Sequence, residues 1–74
     1  MENVTDQKLL EILADPSKTR TFFSQKENLT ALVDREDQRR RLASLITTAN
    51  LDMVSISKTI QSLTGGSVSL VAPR

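Results

Sequence analysis

The chain contains no cysteine, histidine, tryptophan or tyrosine, and only two each of glycine, proline and phenylalanine. Without cysteine there is no disulfide framework and no thiolate chemistry, and nothing speaks to the redox compartment. Without histidine the commonest general base and the usual zinc ligands are missing, as is the partner that activates a serine nucleophile. Aspartate and glutamate are scattered, with neither a paired arrangement nor a glycine-rich phosphate loop. The expectation is a protein that is not an enzyme and needs no cofactor, metal or small-molecule substrate. No apolar run approaches the roughly 20 residues that cross a bilayer, and Met1-Glu2-Asn3-Val4 lacks a basic stretch leading into an apolar one. The protein is expected to have no membrane partner and to stay where it is made.

What remains is 74 residues, 38% of them apolar, with almost no aromatic content beyond Phe22 and Phe23. This composition argues for an aliphatic helix-on-helix core in one domain, spanning residues 1–74. A domain so small buries little apolar surface by itself, so dimerisation is expected. The net charge of +1 hides an asymmetry: residues 1–37 carry five basic and eight acidic side chains, and residues 38–74 carry five basic and Asp52 alone. Such a split serves either an internal pairing of an acidic with a basic helix or a basic face for an anionic partner.

A helical region over about 6–27 is expected from Leu9, Leu10, Ile12 and Leu13, with Thr5 or Asp6 as its cap. Pro16 reads either as a kink or as the first residue of a new segment capped by Asp15. Asn28 or Thr30 reads as a boundary, and residues 67–74 as a tail that forms a strand or a helical turn. Between about 31 and 64 there is neither glycine nor proline. Leu42, Leu45, Ala49, Met53, Ile56, Ile60 and Leu63 recur there at steps of three or four, so a single long helix ending at Gly65-Gly66 is expected, with this seam as the dimer core. A helix of that length finds no equal within the chain and is expected to pair with its copy in a four-helix arrangement.

Opposite the seam lie Arg40, Ser44, Thr47, Thr48, Leu51, Ser55, Lys58 and Ser62, preceded by Arg39-Arg40-Arg41. This stripe has hydroxyls and cations but no carboxylate, whereas an exposed helix usually mixes both signs at positions four apart. Cations neutralise phosphates and small hydroxyls permit close approach, which suits a nucleic-acid backbone. Lacking aromatic stacking platforms, such a surface fits a duplex, and double-stranded RNA presents 2′-hydroxyls across a shallow groove. Two plainer readings stand beside this one. The arginines pair with Asp34, Glu36 or Asp37, and the polar stripe merely faces solvent in a helical adaptor or chaperone.

Lys8-Leu9, Ile12, Pro16, Lys18, Thr21, Arg39-Arg40, Leu42, Leu45, Asn50, Val54-Ser55-Ile56-Ser57-Lys58, Ile60 and Ser62-Leu63 together resemble, in one register, the nodavirus suppressors of RNA silencing. The resemblance runs from Lys8 to about Leu63 and rests on no catalytic motif. It implies an all-α helical hairpin that dimerises into an antiparallel four-helix bundle, the long helices lying along one face of duplex RNA. It further implies that Arg40, Thr48, Lys58 and Ser62 touch RNA. Lys58 stands where an insect-virus member has arginine, which keeps charge but loses the planar fork, and Leu51 and Met53 stand where it has lysines. Carried over, the expected function is a homodimer that coats long and short interfering duplexes in the host cytoplasm and denies them to dicing and effector loading. The expected RNA-binding set is Arg39, Arg40, Ser44, Thr47, Thr48, Ser55, Lys58 and Ser62.

Overall fold

The computed structural model describes residues 1–68 and 70. Five α-helices follow one another: α1 Asp6–Leu13, α2 Pro16–Phe23, α3 Lys26–Asp34, α4 Glu36–Thr48 and α5 Met53–Thr64. No strand occurs among the described residues. The all-helical class agrees with the sequence, but the two-helix hairpin does not. A helix from 31 to 64 would be about 51 Å long at 1.5 Å per residue, and the whole domain measures only 30 × 26 × 22 Å.

Side-chain caps open α1, α2 and α5, whereas α3 and α4 begin at Gln25 and Arg35 without one. The Thr5 hydroxyl accepts the Lys8 N–H at 3.2 Å and opens α1. Asp15 caps α2 by accepting the Ser17 N–H at 2.9 Å, with Pro16 at the first helical position, so Pro16 divides rather than kinks. The buried Thr19 hydroxyl donates to the Ile12 carbonyl at 2.7 Å and the Asp15 carbonyl at 3.0 Å, which closes the corner between α1 and α2. The next corner lies at Ser24-Gln25, earlier than expected, and Asn28 is no cap. It is buried inside α3, where its amide donates to the Phe22 carbonyl at 3.0 Å and to Gln25 Oε1 at 3.3 Å.

The expected long helix is broken twice, at Arg35, whose extended backbone joins α3 to α4 without a side-chain cap, and at Asn50, whose φ of 57° is left-handed. The Asn50 N–H donates to the Thr47 carbonyl and the Leu51 N–H to the Ile46 carbonyl, the paired bonds of a Schellman closure. Asp52 then accepts the Ser55 N–H at 3.1 Å and starts α5. Gly65, with φ 64°, ends α5 through the equivalent bond from the Gly66 N–H to the Gln61 carbonyl. Asparagine at 50 thus does what glycine does at 65, because its short polar side chain tolerates the left-handed region.

Breaking the helix turns its second half and changes the core. Leu42, Ile46, Ile56 and Ile60 are buried together with Leu9, Leu13, Phe23 and Leu32. Of the expected seam, Leu45, Met53 and Leu63 are only partly buried against this core. Ala49, expected in the seam, is exposed at the α4 cap. Ile46 and the half-polar Gln38 take the places the continuous spacing assigned elsewhere. Of the expected tail, Ser67 is exposed, Val68 and Leu70 join the core, and residues 69 and 71–74 lie outside the described residues. Of the apolar side chains that called for a second copy, Leu42, Ile56 and Ile60 are buried within one chain.

Candidate nucleic-acid interface

α4 buries Gln38, Leu42 and Ile46, residues four apart that share one face. Arg40, Ser44, Thr47 and Thr48 lie on the opposite face and are exposed, as the sequence stripe required. That face also carries Glu36 and Asp37 in the first turn, so its N-terminal end is not free of carboxylate. Arg40 meets Glu36 at 3.1 Å, both side chains being largely exposed. A pair so open to solvent is weak.

The other two members of the arginine cluster are engaged inside the fold. Arg39 is half-buried and donates through Nη1 to the carbonyls of Leu32 at 3.0 Å and Val33 at 2.7 Å. It satisfies the orphan carbonyls at the end of α3, so Arg39, expected among the RNA contacts, already holds a place in the fold. Arg41 pairs with Asp6 at 2.7 Å and donates to the carbonyls of Met1 and Val4, fastening the N-terminal segment to α4. Arg35 joins Glu2 and Asp37. Its hydrogen bond to Asp37, chiefly, holds that carboxyl below the usual carboxylate range.

α5 is arranged differently. Ile56, Ser57 and Ile60 face the core, and Ser55, Lys58 and Ser62 are exposed on the other side. No acidic residue lies between Met53 and Thr64. Asp52, at the entrance, receives the Ser55 backbone N–H and the Ser55 hydroxyl at 2.9 Å, which lower its carboxyl below the usual range. The Ser55 hydroxyl is thereby committed as a donor and remains an acceptor only. Leu51, expected on the polar stripe, lies in the turn before α5 and packs partly against the core.

Sequence reading overlooked α2 as a source of charge. α2 packs against both α1 and α5, and it too has no carboxylate between Pro16 and Phe23 while carrying Lys18 and Arg20. Among the described residues, Lys18, Arg20 and Lys58 have no ion-pair partner within 4.0 Å, in contrast to Arg35, Arg40 and Arg41. Compared with protein-family models, with curated proteins and with solved structures, the chain matches none. Its function has to be read from these surfaces. No group of three or more acidic side chains among the described residues is placed to hold a metal, and no helix there is long and apolar enough to cross a membrane.

Proposed function

We propose that this chain is a non-catalytic binding protein for the backbone of double-stranded RNA. The observation that carries the reading is the packing of α2 on α5, two helices that hold Lys18, Arg20 and Lys58 and no acid. Arg20 on α2 and Ser55, Lys58 and Ser62 on α5 are each exposed, and they supply phosphate neutralisation and partners for 2′-hydroxyls. Arg40, Ser44, Thr47 and Thr48 on α4 form a second exposed set, in which Arg40 must first leave Glu36.

So few available cations set the scale. Three phosphates neutralised per chain correspond to a log–log salt slope of about −3, against about −5 for two chains acting together. Useful occupancy at physiological salt therefore calls for a dimer or for several chains along one duplex. A dimer belongs to the proposal, with a contact surface that excludes Leu42, Ile56 and Ile60, which are buried within one chain. Silencing suppression follows as occupancy: a coated duplex in the cytoplasm of an infected cell is denied to the dicing nuclease and the effector complex.

A second reading, a helical adaptor for another protein, is favoured by Val54, which is 61% exposed beside the partly buried Met53. A mobility shift separates the two, using a duplex RNA of about 20 base pairs beside single-stranded RNA and duplex DNA of the same length. Duplex RNA bound in preference, at a steep cost in salt, supports the first reading. No binding to any of the three overturns it and leaves the adaptor.

A further inference from the structure

A groove of about 270 Å³ runs between α1 and α2, lined by no residue of α4 or α5. That volume is just below the roughly 300 Å³ at which ligand pockets ordinarily begin, so it admits one small guest. Its apolar lining is Ile12 and the half-buried Phe22, whose ring is held edge-to-face on Phe23 at a centroid distance of 4.9 Å. Lys8 and Lys18 bring two positive charges from different helices to the same groove. The only carboxylate within ion-pair distance of either lysine among the described residues is Glu11, 3.7 Å from Lys8 Nζ, with both side chains more than half exposed.

The polar groups of the groove are not free to rotate at will. Gln25 Oε1 accepts from the buried Asn28 amide, which leaves the Gln25 NH₂ group to offer donors. The Thr21 hydroxyl donates to the Ser17 carbonyl at 3.0 Å and presents an acceptor. A flat apolar surface, two cations, an oriented amide and an acceptor hydroxyl are thus lined up along one cleft. A phosphate monoester carries about −1.5 to −2 charges at neutral pH, so it matches two lysines better than the single charge of a carboxylate guest does.

From this arrangement we infer that the α1–α2 groove binds a nucleoside 5′-monophosphate, the base against Phe22 and Ile12 and the phosphate between Lys8 and Lys18. The guest is either a free mononucleotide or the 5′-phosphorylated end of a strand. The groove shares Lys18 with the duplex reading but none of Arg20, Lys58 or the residues of α4, so Lys58→Ala, expected to weaken duplex RNA and leave AMP unchanged, tells the two apart. Calorimetric titration of the full chain with AMP, adenosine and inorganic phosphate tests it. AMP is expected to bind at least tenfold more tightly than either component. Replacing both lysines, Lys8→Gln with Lys18→Gln, is expected to weaken AMP about tenfold and leave adenosine unchanged, with the thermal midpoint as a check on folding. Phe22→Leu is expected to weaken AMP and adenosine alike. AMP binding no tighter than phosphate, or insensitive to both variants, overturns the inference. Competition of AMP with 5′-phosphorylated but not 5′-hydroxyl duplex assigns the guest to a strand end, and competition with neither assigns it to the free nucleotide.

Discussion

α4 and α5 carry the two halves of one sequence stripe, and they use charge in opposite ways. α4 has three consecutive arginines, yet one closes the end of α3, one fastens the N-terminal segment and the third meets Glu36. α5 has a single cation, Lys58, on a face of hydroxyls with no acid between its ends. Counting basic residues ranks α4 as the anion-binding element; counting those left available favours α5 and its neighbour α2. A guanidinium with several fixed donors is the better structural clamp, and a flexible, solvated lysine the better free charge.

The strongest way to break this comparison is to attack the core face that both helices share. Leu42→Ala on α4 and Ile60→Ala on α5, each fully buried, are expected to cost about 2–5 kcal/mol in urea unfolding. A domain of this size has roughly 4–11 kcal/mol in total, so either change leaves it near its threshold. Equal costs in both are expected; a cost confined to Leu42 would mean that α5 is only loosely attached.

Arg41→Ala and Lys58→Ala separate the two uses of charge. Arg41→Ala removes charged bonds to Asp6 and to the Met1 and Val4 carbonyls and is expected to destabilise by about 1–2 kcal/mol. Lys58→Ala is expected to shift stability by no more than about 0.5 kcal/mol. It should instead weaken duplex RNA alike for all sequences and reduce the salt slope by about 1. The reverse pattern, with Lys58 structural and Arg41 decisive for RNA, would invert the assignment.

The turn joining the helices offers a sharper, smaller test. Asn50→Gly is expected to be nearly neutral and Asn50→Ala to cost about 1 kcal/mol, because an ordinary Cβ is disfavoured at φ 57°. If Asn50→Ala instead gains stability and helical circular dichroism, the continuous helix is within reach of this sequence.

The smallest effect concerns Asp52. Its carboxyl is held below the ordinary value of 3.8, first by the Ser55 N–H and then by the Ser55 hydroxyl. A lowered folded-state value means that the stabilisation is present above the unfolded-state value and fades as pH falls through the folded-state one. Acid titration below pH 3.8 should therefore cost the native chain slightly more than Asp52→Asn, which keeps a capping oxygen but does not ionise. Coincident acid-unfolding curves for the two proteins would show that the cap charge is immaterial.

Much of this architecture was legible. Thr5, Asp15-Pro16 and Gly65-Gly66 announce helix ends by their own chemistry, and the exposed stripe on each of α4 and α5 follows from helical spacing. The break at Asn50 was concealed because apolar residues continue at steps of three and four across it, so periodicity alone sees one seam. The signal that was there is Asn50 followed by Asp52 and Ser55: a residue that accepts the left-handed region, then a new cap. The fate of the arginines was not legible in the same way. Arg41 reaches Asp6, 35 positions away, and no local pattern encodes such a contact. Arg39 acts on carbonyls across a corner that the sequence did not reveal.

The longest helix here has 13 residues and the shortest eight, lengths at which an isolated helix is marginal in water. None of the five would persist once parted from the others. Amide hydrogens in all of them should then exchange through one shared opening, apart from frayed ends, and a protease should find the chain either intact or wholly digestible, with no resistant fragment in between.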